Sequence, residues 1–326
     1  MNRLFRDIQR GPGSPHGSVV CIGAFDGLHL GHQALVRHAV ARARALETAQ
    51  EPVEAVALSF EPLPREYFAA GLPPPRLLLP RAKIEGLLDM GVDRVGLLRF
   101  NAALSALSAD EFVHRVLVES LAAREVWVGP GFRFGKARGG DLSVLQRIGE
   151  DLKASGREFI AGQIEPVLLD GEPVSSTRIR AALQAGDFAQ AERLLGRPYA
   201  IGGRVVCGRQ LGRTLGMPTA NIRLAGKNPA LSGIYAGCVH GVGNTPRAAV
   251  VSLGTRPTVD GVEPLLEAHL FDFDADLYGC RLQVEFVAKL RDEVRFPDLA
   301  SLTEQMQRDA EQARAILMQQ QPRAFA

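Results

Sequence analysis

Between Val19 and His32 the chain reads VVCIGAFDGLHLGH, and no other stretch constrains the first half as tightly. Val19, Val20, Cys21 and Ile22 form a short apolar run ended by Gly23. Phe25-Asp26-Gly27 then fits only a tight connection before the helical pattern of Leu30, Leu35, Val36 and Val40. The spacing predicts a buried strand, a turn at its carboxyl end, and a helix to about Leu46. Open parallel sheets bind ligands at that edge, and the following helix offers free N–H groups and the positive end of its dipole to a phosphate. His29 and His32, three apart, share one helical face, with Gly31 between them. Together they can stabilise charge developing at an α-phosphate. Two helix-surface histidines without a ligand are the competing reading, and no Cys, Asp or Glu stands at zinc-ligand spacing.

The chain then alternates. A strand is predicted over Val53 to Phe60, a long proline-rich connection over Glu61 to Pro80, and a helix over Arg81 to Met90. A strand over Arg94 to Leu98, a helix over Ala109 to Leu121 behind the capping box Ser108-Ala-Asp-Glu111, and a strand over Glu125 to Gly129 follow. A helix over Asp141 to Ala154 and a strand over Arg157 to Ile164 extend the pattern, which argues for a parallel sheet covered by helices. The loop from Gly129 to Asp141 is rich in glycine and base, but its spacing and Ala137 exclude a P-loop. Ser175, Ser176, Thr177 and Arg178 set hydroxyls and a planar cation at the start of a helix, where they can cap it, hold pyrophosphate, or do both.

Beyond Gly196-Arg197-Pro198 the texture changes to short strands with glycine-rich turns: Tyr199 to Val206, Gly233 to Gly241, Arg247 to Leu253, Leu265 to Phe273 and Arg281 to Leu290. They predict a small antiparallel barrel closed by a helix from about Leu299 to Met318. Gly208, Gly212 and Gly216 are four apart around Arg213, so this backbone can approach phosphates closely. Thr219 and Asn221 put two hard oxygens on one side of an extended segment, a donor set that suits Mg²⁺ shared with ATP; an ordinary turn is the alternative. Glu267 shares a partly apolar strand face with His269, where a carboxylate can serve as a general base or simply face solvent.

At 326 residues the chain exceeds one typical core and predicts two domains. A net charge of +2 gives no electrostatic case for a nucleic-acid partner. No run approaches eighteen apolar residues, and the start of the sequence has no apolar signal-like core, so a cytoplasmic protein without a membrane span is expected. Cys21, Cys207, Cys238 and Cys280 read as reduced core residues.

Across nearly the whole chain GAFDGLHLGH, SFEPLPRE, VGPGFRFGKARGGD, VSSTRIR, LLGRPY, GRTLGMPTAN, GIYAG, LGTRPTVDG, LEAHLFDFDADLYG and LRDEVRFPDL occur in order. In these the sequence resembles the prokaryotic bifunctional riboflavin kinase/FAD synthetase family. The resemblance implies a Rossmann-like adenylyltransferase domain over 1–185 and a flavokinase barrel over 186–326. It implies that ATP with Mg²⁺ phosphorylates riboflavin to FMN and that ATP then adenylylates FMN to FAD, both flavins being products and not prosthetic groups. Gly23, Phe25, Asp26, Gly27, His29, Gly31 and His32, with Ser176, Thr177 and Arg178, are implied at the first ATP site. Gly208, Gly212, Arg213, Gly216, Thr219, Asn221 and the base Glu267 are implied at the second, with Arg291 and Phe132 on flavins. Leu63, Ala82 and Gly131 depart from the family pattern in the first half, where a histidine, a glutamate, and an acid or amide are usual, and Cys207 replaces a common histidine in the second. A riboflavin kinase with a weakened adenylyltransferase, or a non-catalytic flavin-binding module, is the alternative, and a weak homo-oligomer stays open.

Overall fold

Valine, alanine and leucine runs with no solvated face build the inner strands of the first sheet. The computed structural model describes residues 3–8, 14, 16–208, 212, 215–224, 228–258 and 261–319. In the first half these give β1 (Leu4–Phe5), β2 (Ser18–Ile22), α1 (Leu30–Leu46), β3 (Glu54–Glu61), α2 (Pro64–Tyr67), α3 (Pro80–Asp89), β4 (Arg94–Arg99), α4 (Ala102–Ala106), α5 (Ala109–Phe112), β5 (Ala123–Val128), α6 (Leu142–Ala154) and β6 (Ile160–Gln163). All neighbouring strands are parallel, in the order β1-β4-β3-β2-β5-β6. The expected Rossmann-like architecture is present. β2 is buried along its whole length, with β3 on one side and β5 on the other. The chain therefore changes direction across the sheet at β2, and the crevice at its carboxyl end is the ligand position such sheets offer.

Several local expectations are corrected. The helix behind Ser108 keeps its capping box, with Glu111 N–H donating to Ser108 Oγ at 3.1 Å and Ser108 N–H to Glu111 Oε2 at 2.7 Å, but over Val113–Ser120 it widens into π-helical turns. Val113, Val116, Leu117, Val118 and Ser120 are all buried there. The connection after β3 is not structureless, since it holds α2. β6 is shorter than expected, and the Asp170-Gly171 turn (φ 57° and 79°) joins an unexpected hairpin of β7 (Leu168–Leu169) and β8 (Glu172–Pro173). Cys207 and Cys280 are exposed, so only Cys21 is a fully buried core thiol; burial pushes it up to about 12.

The second half contains α7 (Ser176–Gln184), α8 (Phe188–Leu195), β9 (Ala200–Val206), β10 (Ala220–Ile222), β11 (Gly233–His240), β12 (Arg247–Thr258), β13 (Gly261–Leu270), β14 (Arg281–Arg291) and α9 (Leu299–Gln319). The strands close into an antiparallel barrel in the order β10-β13-β12-β11-β14-β9. Alternating residues such as Val251, Leu266, Ala268 and Val284 fill it, with an aromatic cluster of Phe188, Tyr199, Tyr235 and Phe286. Ala313 of α9 packs with Ala236, Val250 and Phe271 on the outer face. The chain divides into two units, Met1–Pro74 with Pro80–Ser175, and Pro75–Leu79 with Ser176–Ala326. Residues 75–79 are anchored in the second unit by Arg76 N–H donating to the Asn228 carbonyl at 2.8 Å and Arg180 Nε to the Pro75 carbonyl at 2.7 Å.

Candidate active sites

The first site grows from the end of β2. Gly23 N–H donates to the Leu58 carbonyl at 3.1 Å, so β2 and β3 stay joined up to the turn. The backbone then reverses sharply. Phe25 (φ 48°) and Leu28 (φ 46°) occupy the left-handed region without being glycine, and Gly27 sits at φ 95°. Such residues cost on the order of 1–3 kcal/mol each and persist only where the surroundings over-determine them. Here the Phe25 ring is completely buried, and buried Asp26 is ion-paired with Arg65 of α2.

His29 is the N-cap of α1, its Nδ1 accepting the His32 N–H at 3.3 Å. An imidazole accepting at Nδ1 carries its ring proton on Nε2. The two imidazoles stack with centroids 3.7 Å apart and 21° between planes, and Phe25 meets His32 edge-on at 5.4 Å. Glycines make room for these rings: a Cβ on Gly31 would lie 3.2 Å from His29 Cε1, and one on Gly23 would lie 3.1 Å from the Phe25 ring. His32 Nδ1 is sealed from solvent without a hydrogen-bond partner. Burial first, then the neighbouring His29 and Lys83, hold His32 well below the usual imidazole range. His32 is thus neutral near pH 7, beside the free N–H groups of a helix N-terminus.

Beneath the turn lies Lys83 of α3, which the motif does not announce. It is completely buried, and its Nζ donates to the Ala24 carbonyl at 2.7 Å and to Ser59 Oγ at 3.3 Å. Leu63, at the start of α2, is buried, with its N–H donating to Glu66 Oε2 at 2.9 Å. Phe132 is on the loop after β5, stacked on Phe134 with centroids 5.4 Å apart, and Arg133 pairs with Asp141 at 2.9 Å. Ser176, Thr177 and Arg178 open α7, which belongs to the second unit.

The second site is a cavity of about 360 Å³ on the barrel's outer surface, lined by Thr219, Asn221, Glu267 and Arg291 together with Gly212. Strand register brings its polar residues together: Asn221 on β10 pairs with Glu267 on β13, and Glu267 with Ser252 on β12. Leu266, Ala268 and Leu270 point the other way into the core, so Glu267 and His269 face the cavity. Gly208 is pressed against this corner, since a Cβ there would lie 2.5 Å from Asn221 Nδ2. The Gly212 carbonyl accepts from the Leu215 and Met217 N–H groups at 3.2 and 2.8 Å, and Gly216 (φ 76°) turns the chain between them. Arg213 lies outside the described residues. His269 Nδ1 donates to the Pro218 carbonyl at 2.8 Å, which holds the segment leading to Thr219 against β13.

Arg291 reaches this cavity from the end of β14. Its guanidinium holds Asp309 of α9 through two short bonds, Nε to Oδ1 at 2.9 Å and Nη2 to Oδ2 at 2.7 Å, and Gln305 donates to the same carboxylate at 2.9 Å. The apolar walls are Leu215, Met217, Leu265, Phe296, Leu302 and Met306. Neither Asp309 nor those walls were expected from motif spacing, although Leu302, Met306 and Asp309 recur at helical intervals on α9. Among the described residues no group of three His, Cys, Asp or Glu side chains is placed to hold a metal. The oxygen donors Thr219 and Asn221 instead fit a small hard cation that keeps most of its coordination for phosphate and water.

Comparison with known proteins follows the same division. The FAD synthetase family model matches residues 12–178 and the riboflavin kinase model residues 195–317. A protein named bifunctional riboflavin kinase/FMN adenylyltransferase from Pseudomonas fluorescens is 45% identical over 302 residues, covering 92% of this chain and 93% of its own. Those of the same name from Haemophilus influenzae and Escherichia coli K12 are 39% and 40% identical, each covering 96% of this chain and 99% and 97% of their own. A Streptococcus pneumoniae structure titled a macrolide-efflux protein aligns with a TM-score of 0.72 at 31% identity, over 96% of this chain and 99% of that one. Among the described residues of this chain no helix is long and apolar enough to cross a membrane. The chain belongs to the bifunctional riboflavin kinase/FMN adenylyltransferase family.

Proposed function

We infer that this chain phosphorylates riboflavin to FMN with ATP and then transfers an adenylyl group from a second ATP to FMN, giving FAD and pyrophosphate. The observation that supports the first reaction is the single cavity shared by Thr219, Asn221, Glu267 and Arg291. Glu267 would accept the proton of the ribityl hydroxyl as its oxygen bonds to the γ-phosphorus and the bond from that phosphorus to the β,γ-bridging oxygen breaks. Phosphoryl transfer depends mainly on positioning and charge neutralisation, so one carboxylate and a close-fitting glycine backbone suffice on the protein side. Thr219 and Asn221 would hold Mg²⁺, whose role when bound is to neutralise and orient the ATP phosphates. Gly208, Gly212, Arg213 and Gly216 would lie along those phosphates. Arg291, oriented by Asp309, would border the flavin, against the apolar walls.

In the second reaction a phosphate oxygen of FMN attacks the α-phosphorus of ATP, and pyrophosphate leaves. The supporting observation is the His29/His32 stack at the N-terminus of α1, where Nε2–H of His29 and backbone N–H groups can meet the developing charge. Gly23, Phe25, Asp26, Gly27 and Gly31 would shape that site. On motif grounds we assign Ser176, Thr177 and Arg178 to the ATP polyphosphate and Phe132 to the flavin. The functional boundary is put at 185, after α7, and the protein is assigned to the cytoplasm. Incubating the purified chain with riboflavin, ATP and Mg²⁺ and separating the flavins tests the whole reading. FMN followed by FAD is expected, and accumulation of FMN alone would leave only the kinase.

A further inference from the structure

We propose that Lys83 is a positioning residue for adenylyl transfer, one that pins the Ala24 carbonyl so that the turn after β2 delivers the stacked histidines to the nucleotide phosphates. The proposal rests on reading His29 and His32 as the phosphate site. A buried ammonium loses its hydration and is tolerated only with acceptors around it, so a helix needing mere packing at this position would be better served by leucine or methionine. Lys83 points from α3 to the last residue before the chain reverses. The Ala24 carbonyl receives Lys83 Nζ at 2.7 Å and the Ser59 hydroxyl at 3.2 Å, and these two donors are themselves 3.3 Å apart. The peptide plane entering left-handed Phe25 is therefore fixed from below.

The same helix holds the other end of the turn. A Cβ on Gly86 would lie 2.7 Å from Leu28 Cδ1, so α3 lies directly against the second left-handed residue, one position before His29. Ala24 and Leu28 are thus both gripped by one helix, and the segment that sets the direction of the His29 ring spans between them. Its charge also reaches the pair. The titratable or charged groups around His32 are His29 on its own helix and Lys83 from α3, with Asp26 of the turn paired to Arg65 of α2. A fixed cation behind the pair favours the neutral form of His32.

Lys83→Met keeps the stem and removes the ammonium. FAD formation from supplied FMN should lose about 10- to 100-fold in kcat, the scale of a misplaced catalytic group, with KM for ATP changed less than about threefold. Riboflavin phosphorylation by the same preparation should be unchanged. Imidazole NMR should show the His32 titration moving to higher pH with its ring still shielded from solvent, since exposure of the ring would raise the titration as well. Unchanged kcat with an unchanged titration would overturn the proposal. His29→Ala is measured alongside: if it leaves FAD formation intact, the phosphate-site reading itself fails; if it abolishes FAD formation while Lys83→Met alters nothing, only the Lys83 proposal fails. Should Lys83→Met lose the thermal transition of the first unit, Ser59→Ala takes its place, with about a 3- to 10-fold lower kcat expected and a wild-type kcat overturning the proposal.

Discussion

The two sites gather their chemistry in opposite ways. At the end of β2, residues 23–32 are contiguous in sequence, and what they borrow from far along the chain is support: Lys83, Ser59 and Arg65 hold a turn with two strained non-glycine residues. On the barrel, Thr219, Asn221, Glu267 and Arg291 come from three strand segments and meet only because antiparallel register sets Asn221 opposite Glu267. A contiguous site depends on the conformation of one turn, whereas a register-built site depends on a whole sheet closing correctly. A one-residue slip of β13 would send Glu267 into the core and Leu266 to the cavity.

Separate sites should fail separately, and the largest effect tests this. Glu267→Gln preserves shape and removes the base, so FMN formation should fall by about 10² to 10⁴ while FAD formation from FMN persists; comparable loss of both activities would break the separation. His29→Ala is the converse, expected to cost FAD formation about 10² to 10³ with the kinase rate unchanged, as read in the same two assays. A chain beginning at Leu183 should still phosphorylate riboflavin, because the lining of its cavity is complete. It loses Leu77 and Ile179, both buried, at about 1.5–3 kcal/mol each, so its melting temperature should drop relative to the full chain. An inactive but folded fragment would show that the barrel site is not self-sufficient.

Smaller effects sharpen the contrast. Leu63→His introduces the family's usual histidine, but it places a polar ring in a buried position beside Asp26-paired Arg65. A stability loss of about 1–3 kcal/mol without faster FAD formation is expected, measured by melting and by the FMN-to-FAD rate. A clear gain in that rate would favour a weakened adenylyltransferase. His32, held low mainly by burial, and His38, also lowered mainly by burial, give the first unit an acid sensitivity. With folded values below 6.5, the unfolded chain takes up protons that the folded one refuses as pH falls through 6.5. Stability is therefore full above that pH and declines below it, by up to about 1.4 kcal/mol per pH unit for one such imidazole. Melting curves between pH 7.5 and 5.5 check this, and a first-unit transition that does not move would contradict it.

Legibility in sequence followed the same contrast. The turn motif could be read because its glycines, its N-cap and both histidines are adjacent. The barrel's strands were readable from alternation and glycine turns, and Glu267's neighbours Leu266 and Ala268 marked its face. Whether it faced solvent or a cavity was not readable, because that depends on α9 and on Arg291 docking against Asp309, eighteen residues away. Lys83 is hard to single out because a lysine on a helix is ordinarily solvated; its signal is its place four residues before buried Leu87, on the inner face of α3. Asp170-Gly171 is a plain hairpin cue. The widening after Phe112 has no comparable cue in the sequence.

Residues 75–79 lie between α2 and α3 of the first unit in sequence yet fold with the second, where Arg76 bridges to Pro229. On the ribosome that strap emerges about 150 residues before its seat, a wait of roughly 8 to 30 seconds at ordinary elongation rates. The first unit can therefore not finish folding strictly ahead of the second: one of its loops is held in abeyance until the far half arrives. A cut between the halves made at a single point in the gene leaves this segment on the wrong fragment, so the two units are interleaved along the chain and in the order of their synthesis.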